Sequence, residues 1–134
     1  MKIAIVDSGI NATHPYVRSV AGGIGVTSTE NWTEDTTDRL GHGTAVAAVI
    51  REKAPEAELY AVKIFDRGFF PHADIMIRAL DWCHYHRMDI VSLSIGADDS
   101  RQRAAFKCAV SGLIVVSPAH QLPGCLPGVI AVEA

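Results

Sequence analysis

Ile3-Ala4-Ile5-Val6-Asp7-Ser8-Gly9 is the stretch on which the fold turns. Four apolar residues, three of them β-branched, have the character of a strand buried on both faces. Asp7 closes the run and Gly9 lets the chain turn sharply. Runs of the same kind recur at Glu58 to Ile64, Asp89 to Leu93, Leu113 to Ser117 and Val129 to Val132, with a weaker one near Ser19 to Ile24. Helical patterns lie between them. Thr44 to Lys53 is rich in Ala and Val, with Pro55 as a stop. Ala73 to His86 sets Ile75, Ala79, Trp82 and Cys83 at i, i+4, i+7 and i+8, an apolar stripe. Ser100 to Ser111 sets Ala104, Ala105, Cys108 and Ala109 on one face, with Gly112 at the C′ position. This alternation predicts an α/β fold, a doubly wound parallel sheet of about six strands with helices on both faces. In such sheets functional groups collect at the carboxyl ends of the strands. Those ends are Asp7-Ser8-Gly9, Ser92 to Gly96 and Ser117 to Gln121.

The 134 residues suffice for a single domain, 1–134. With 49% hydrophobic and 20% charged residues the chain is globular and not disordered. A net charge of −3 supplies no basic field, so nucleic acid and anionic membrane are not expected partners. The apolar runs are too short to span a bilayer. Met1-Lys2 leads straight into the first strand with no signal peptide, which predicts a cytoplasmic protein. Cys83, Cys108 and Cys125 are odd in number and scattered, the pattern of free thiols in a reducing compartment.

Three sites carry chemistry. Asp7 at a strand end reads either as a turn acceptor for backbone N–H groups or as a functional carboxylate. Leu40-Gly41-His42-Gly43-Thr44, running into Ala45-Val46-Ala47-Ala48, sets a His between two glycines at a helix start. A helix N-terminus disfavours imidazolium. A His base there needs a carboxylate to stabilise its charged form, and Asp7 is the candidate. Ile90-Val91-Ser92-Leu93-Ser94-Ile95-Gly96 reads as an ordinary strand exit, or as a backbone that pairs with an extended peptide. Cys83-His84-Tyr85-His86, with His72 nearby, has no second Cys/His pair at finger spacing, so no metal site is expected. On a helix Cys83 and His86 share a face while His84 points elsewhere. Glu30, Glu34, Asp35 and Asp38 lack ligand-like spacing for calcium and predict a solvated acidic loop.

Asp-Ser-Gly-Ile at 7–10, Gly-His-Gly-Thr at 41–44 and Ser-Leu-Ser-Ile-Gly at 92–96, in that order, resemble the subtilisin-like serine peptidase (subtilase) family. The resemblance continues through Ala54 to Lys63, Ala73 to Val91, Ser111 to Val116 and Leu126 to Val132, covering essentially the whole chain. It implies a three-layer fold with strand order 2-3-1-4-5-6 that lacks the C-terminal part of the family domain. It also implies that His42 is the general base, that Asp7 orients it, and that Leu93, Ser94, Ile95 and Gly96 bind substrate backbone. Two departures stand out. The family's Gly-Thr-Ser-Met-Ala segment is absent, and Ser8, Ser94 and Ser117 are not in a nucleophile motif. Cys125, in a Pro-Gly-Cys-Leu-Pro loop, is a poor replacement. The family's Ala-Gly-Asn reads as Pro118-Ala119-His120-Gln121. Counting from Gly112 makes Gln121 the oxyanion donor, and a one-residue gap makes it His120. Loss of such a donor costs about 10²–10³ in rate.

The expectation is a peptidase core whose Ser comes from another chain or a missing segment. It needs no cofactor, calcium being suggested by the resemblance alone. Its partners would be a peptide or protein substrate and a complementing polypeptide or homo-oligomer, since apolar surface and a strand edge should stay open. The alternatives are an inactive relative that binds peptides and a module for assembly.

Overall fold

The computed structural model describes residues 1–27, 31–68 and 70–133. In chain order its elements are β1 (Lys2–Asp7), β2 (Gly22–Val26), β3 (Trp32–Thr33), α1 (His42–Lys53), β4 (Glu58–Lys63), α2 (Ala73–Tyr85), β5 (Ile90–Leu93), α3 (Arg103–Val110), β6 (Ile114–Pro118) and β7 (Ile130–Val132). A 3₁₀ turn at Ser100–Gln102 leads into α3. The strands form one sheet in the order β3-β2-β4-β1-β5-β6-β7. All neighbours are parallel except β2 and β3. Setting β3 aside, the remaining six strands have the expected order 2-3-1-4-5-6. The addition, β3, has two residues, too few to show a period.

Alternation along the strands divides the core. Ala4, Val6, Val62, Val91, Leu93 and Val115 face α2 and α3. Ile3, Ile5, Leu59 and Ala61 face α1 on the other side. Ile75, Ala79 and Cys83 of α2 are buried as their spacing predicts, while Trp82 is only half-buried. In α3 the stripe is different from the one expected. Phe106 and Ala109 are buried, and Ala104 and Cys108 are exposed. One Phe removes far more apolar area from water than two small side chains, and it sets the helix rotation. Gly112 follows α3 with φ 79°, the left-handed exit expected of it.

The hand of the connections positions the site. β2–α1–β4 and β5–α3–β6 cross the sheet in the same direction, but α1 and α3 lie on opposite faces. The two crossovers therefore have opposite hands, although such connections are right-handed in about 98% of cases. α1 is the one set apart from α2 and α3, and this puts it on the face of Ile3, Ile5 and Asp7. Arg51 locks it there. Its buried guanidinium donates to the carbonyls of Val17 (2.9 Å), Ser19 (2.9 Å), Pro55 (3.1 Å) and Ala57 (2.6 Å).

α1 covers only part of its face. Across β5, β6 and β7 the same side is open, with Ile114, Ile130 and Val132 exposed and Ile90 and Val116 half-buried. Among the described residues no helix is long and apolar enough to cross a membrane.

Candidate active site

Asp7 is fully buried at the carboxyl end of β1. His42 opens α1, and its Nδ1 lies 2.9 Å from both Asp7 oxygens. An ionised carboxylate only accepts, so Nδ1–H donates and Nε2 is left with the lone pair. The imidazole is 59% exposed, so the pair joins a buried anchor to an accessible base. Ser8 N–H donates to Asp7 Oδ1 at 2.7 Å, and the Ser94 hydroxyl donates to Oδ2. Two glycines make this approach possible. A Cβ on Gly43 would lie 2.0 Å from the Gly9 carbonyl oxygen and 3.3 Å from Asp7 Cβ. Gly9 has φ 107°, and a Cβ there would lie 2.4 Å from the Thr36 carbonyl oxygen.

The start of α1 is held from outside the helix. Gly41, at the N-cap, has no side chain to cap with. Asp38 takes that role. Its Oδ1 accepts from the N–H groups of Leu40 (3.1 Å) and Gly41 (2.8 Å) and from Ser8 Oγ (2.8 Å). Its Oδ2 accepts from Thr44 N–H (3.0 Å) and Thr44 Oγ1 (2.5 Å). Ser8 Oγ in turn accepts from Gly43 N–H at 3.0 Å. Burial pushes the Asp38 carboxyl up, but the hydrogen bonds from Thr44, Gly41 and Ser8 outweigh it and hold it below its ordinary value.

The acidic loop is thus not simply solvated, a correction to the sequence reading. Asp35 accepts from Thr37 N–H (3.0 Å), and that bond, the Thr37 hydroxyl, Lys63 and Arg39 lower it to about 2 despite some desolvation. Lys63, buried, pairs with Asp66 (2.8 Å) and donates to the Thr37 carbonyl (2.6 Å). Glu34 is exposed as expected, and Glu30 lies outside the described residues. The signal that marks Asp38 is its position: it stands six residues before Thr44, within reach of a helix N-terminus that has no capping residue of its own.

At the proposed peptide edge, Leu93 is buried within β5 in register with Val6, and Ser94 N–H donates to the Val6 carbonyl at 3.4 Å. Ala97 pairs with Leu122. Ile95 and Gly96 lie between these pairings as the open part of the edge. Gly96 abuts Gln121, where a Cβ would come 2.6 Å from the Gln121 Cβ. The Gln121 amide donates to Asp98 Oδ2 at 3.1 Å. His120 is exposed and bonds Glu133 at 2.6 Å. Of the two oxyanion candidates only Gln121 borders the peptide edge. Beside it opens a cleft of about 280 Å³ lined by Ser92, Ser94, Val116, Ser117, Pro118 and Val132, among others. Among the described residues the buried Ser117 Oγ has no hydrogen-bond partner.

The remaining chemistry-bearing residues are scattered. Burial pushes the Cys83 thiol up to about 12. His86 is exposed and stacks on Trp82 at 4.0 Å, so the two members of the expected Cys83/His86 face do not converge. Cys125 is exposed, and its described polar contact is Arg103 at 3.9 Å. Among the described residues no three His, Cys, Asp or Glu side chains group as a metal site.

Fold and site together define a doubly wound α/β protein with an Asp–His pair mounted at the carboxyl edge of its sheet. The chain belongs to the subtilase family, which it matches over residues 1–122. It is similar to the minor extracellular protease Epr of Bacillus subtilis, 33% identical over 100% of this chain and 23% of that protein. Subtilisin E of the same organism is 30% identical over 89% of this chain and 34% of its own length. The mouse membrane-bound transcription factor site-1 protease is 32% identical over 74% of this chain and 10% of its own. Among solved structures, a lanthipeptide protease matches with a TM-score of 0.76 at 20% identity, covering 99% of this chain and 47% of that one. A cold adapted subtilisin-like serine proteinase matches at 0.74 and 18%, covering 98% and 53%. These two show the fold. The chain spans well under two thirds of each of these proteins.

Proposed function

We propose that this chain supplies the Asp and His of a subtilisin-type serine peptidase site, with the nucleophilic Ser supplied by another polypeptide or by a further stretch that completes the domain. The observation that carries this reading is the buried Asp7 bound to Nδ1 of an accessible His42. With Nδ1 donating, Nε2 is the nitrogen that takes the proton of an attacking Ser hydroxyl. Asp7 then stabilises an imidazolium that the amino end of α1 opposes. Substrate would enter as an extended peptide along Ile95 and Gly96. Gln121 would donate to the oxyanion after leaving Asp98. The three unpaired thiols support a reducing, cytoplasmic setting.

One observation favours a second reading, an inactive relative acting as a peptide-binding or assembly module. Both oxyanion candidates are already engaged, Gln121 by Asp98 and His120 by Glu133.

A fluorophosphonate probe, which labels activated Ser, separates the two. Label is expected on a Ser-bearing polypeptide only when this chain is present, and is expected to vanish with His42→Ala. Absence of label with a folded chain, in extract of its own cells, would move the assignment to the binding module.

A further inference from the structure

We propose that the cleft between α3 and the β6–β7 connection is a binding site for a carboxylate carried on an apolar body. The proposal goes beyond the peptidase reading and does not rest on it, because this cleft lies on the face of the sheet opposite α1 and His42. Its volume is about 460 Å³. Small-ligand sites span about 300–1,000 Å³ and are mostly apolar with a few polar groups.

The rotation of α3 builds one wall. Burial of Phe106 and Ala109 turns Arg103, Lys107 and Val110, at i, i+4 and i+7, toward the connection. The connection returns past them before it enters β7, and its own turns hold it. Cys125 N–H donates to the Gln121 carbonyl at 2.8 Å, and Leu126 N–H donates to that of Pro123 at 2.9 Å. Leu126 is buried in the core, and Val110, Leu113 and Val129 pack half-buried against the same core. The floor of the cleft is therefore apolar and fixed.

Charge selects the ligand. Arg103 and Lys107 stand one helical turn apart and exposed, and no carboxylate lines the cleft. Among the described residues neither cation has an ion-pair partner, whereas the neighbouring Arg101 is paired with Asp99 at 3.0 Å. The polar contact of Arg103 is the Cys125 thiol, at 3.9 Å. In a chain of net charge −3, two such cations over an apolar floor are a local reversal of sign. One carboxylate between them can accept from the Arg103 fork and from Lys107. Its carbon chain then covers Leu113, Leu126 and Val129. A neutral apolar ligand would leave the cations unanswered, and a small anion would leave the floor in water. An acyl acid and the free carboxyl end of a peptide with an apolar last residue share the required chemistry.

Titration of the full chain with decanoate below its micelle concentration, followed by nitrogen-15 backbone amide shifts, tests this. Saturable shifts are expected at Lys107, Gly112 and Gly128. Decanamide and acetate, which each lack half of the ligand, are expected to bind roughly tenfold or more weakly. Arg103→Gln together with Lys107→Gln is expected to weaken decanoate roughly tenfold or more, with the melting temperature unchanged because both side chains are exposed. Should the double variant not fold, either single substitution carries the same direction of change. A short peptide ending in leucine with a free carboxylate separates the two sources. Tighter binding than decanoate at the same amides assigns the site to chain ends, and weaker binding assigns it to acyl acids. The proposal is overturned if decanoate does not saturate, binds no better than decanamide, shifts only the open strip across β5, β6 and β7, or keeps its affinity through both Gln substitutions.

Discussion

Among the described residues Asp38 accepts five hydrogen bonds, and four of them come from residues 40–44. It is the true cap of α1 and, through α1, the support of His42. Asp38→Ala is expected to destabilise the chain by about 1–2 kcal/mol in urea unfolding, the range of a lost helix cap. The titration of this loop has a definite sign. The folded-state values of Asp35 and Asp38 are lowered, so their contribution is complete above the unfolded carboxyl value of 3.8 and is lost as pH falls through the folded values. For Asp35 the window runs from 3.8 down to about 2. The melting temperature of Asp35→Asn is expected to lose part of the wild-type decline across that window. At this scale the sequence disclosed Asp7 and His42, because each stands at the end of an element with a motif around it. It did not disclose the roles of Asp38 or Lys63, because partners such as Ser8 Oγ for Asp38 and the Thr37 carbonyl for Lys63 are distant in sequence and meet them only in the folded chain.

Elements meet at the site through the two glycines that flank His42, and the two do different work. Gly41 has φ 89° with open space where a Cβ would go, so Gly41→Ala meets only backbone strain, roughly 1–2 kcal/mol. A Cβ on Gly43 would collide with the backbone of Gly9, and neither β1 nor α1 can yield without breaking the Asp7–His42 contact. Gly43→Ala is expected to cost more than Gly41→Ala, about 3 kcal/mol or above, and to weaken the His42 Nδ1–Asp7 hydrogen bond, read as an upfield shift of the Nδ1–H signal in NMR against the wild type. Equal effects from the two substitutions would sink this division of roles. The sequence showed a Gly-flanked His and a helix rich in small residues, which is enough to predict close packing of α1. It did not show the face on which α1 lies, since the hand of a crossover leaves no local period. The rotation of α3 departs from the expected stripe for a related reason. Apolar spacing alone weighs Ala104 and Cys108 as heavily as Phe106, whereas burial follows area.

For the molecule as a whole, the open side of β5, β6 and β7 is the feature most at odds with a finished parallel sheet, which is buried on both faces. Ile114, Ile130 and Val132 are 53%, 52% and 50% exposed, side by side on neighbouring strands, with Ile90 and Val116 continuing the strip. Strand order and an open apolar surface were both expected, but only through the resemblance to a longer family domain, because the runs themselves look the same whether covered or not. The strip makes a prediction that needs no knowledge of its occupant. Light scattering of the chain by itself should show concentration-dependent association, and the substitutions Ile114→Lys and Ile130→Lys together should suppress it. Both side chains are already half in water, so unfolding free energy should change by no more than about 1 kcal/mol. If the Lys pair leaves association unchanged, the strip is not the sticky surface, and the contact must be sought elsewhere, as along the exposed Tyr16 and Val49 on the outer flank of α1. If association is lost and complementation by a Ser-bearing polypeptide is lost with it, one surface serves both, and self-association is what the chain does while that surface is unoccupied.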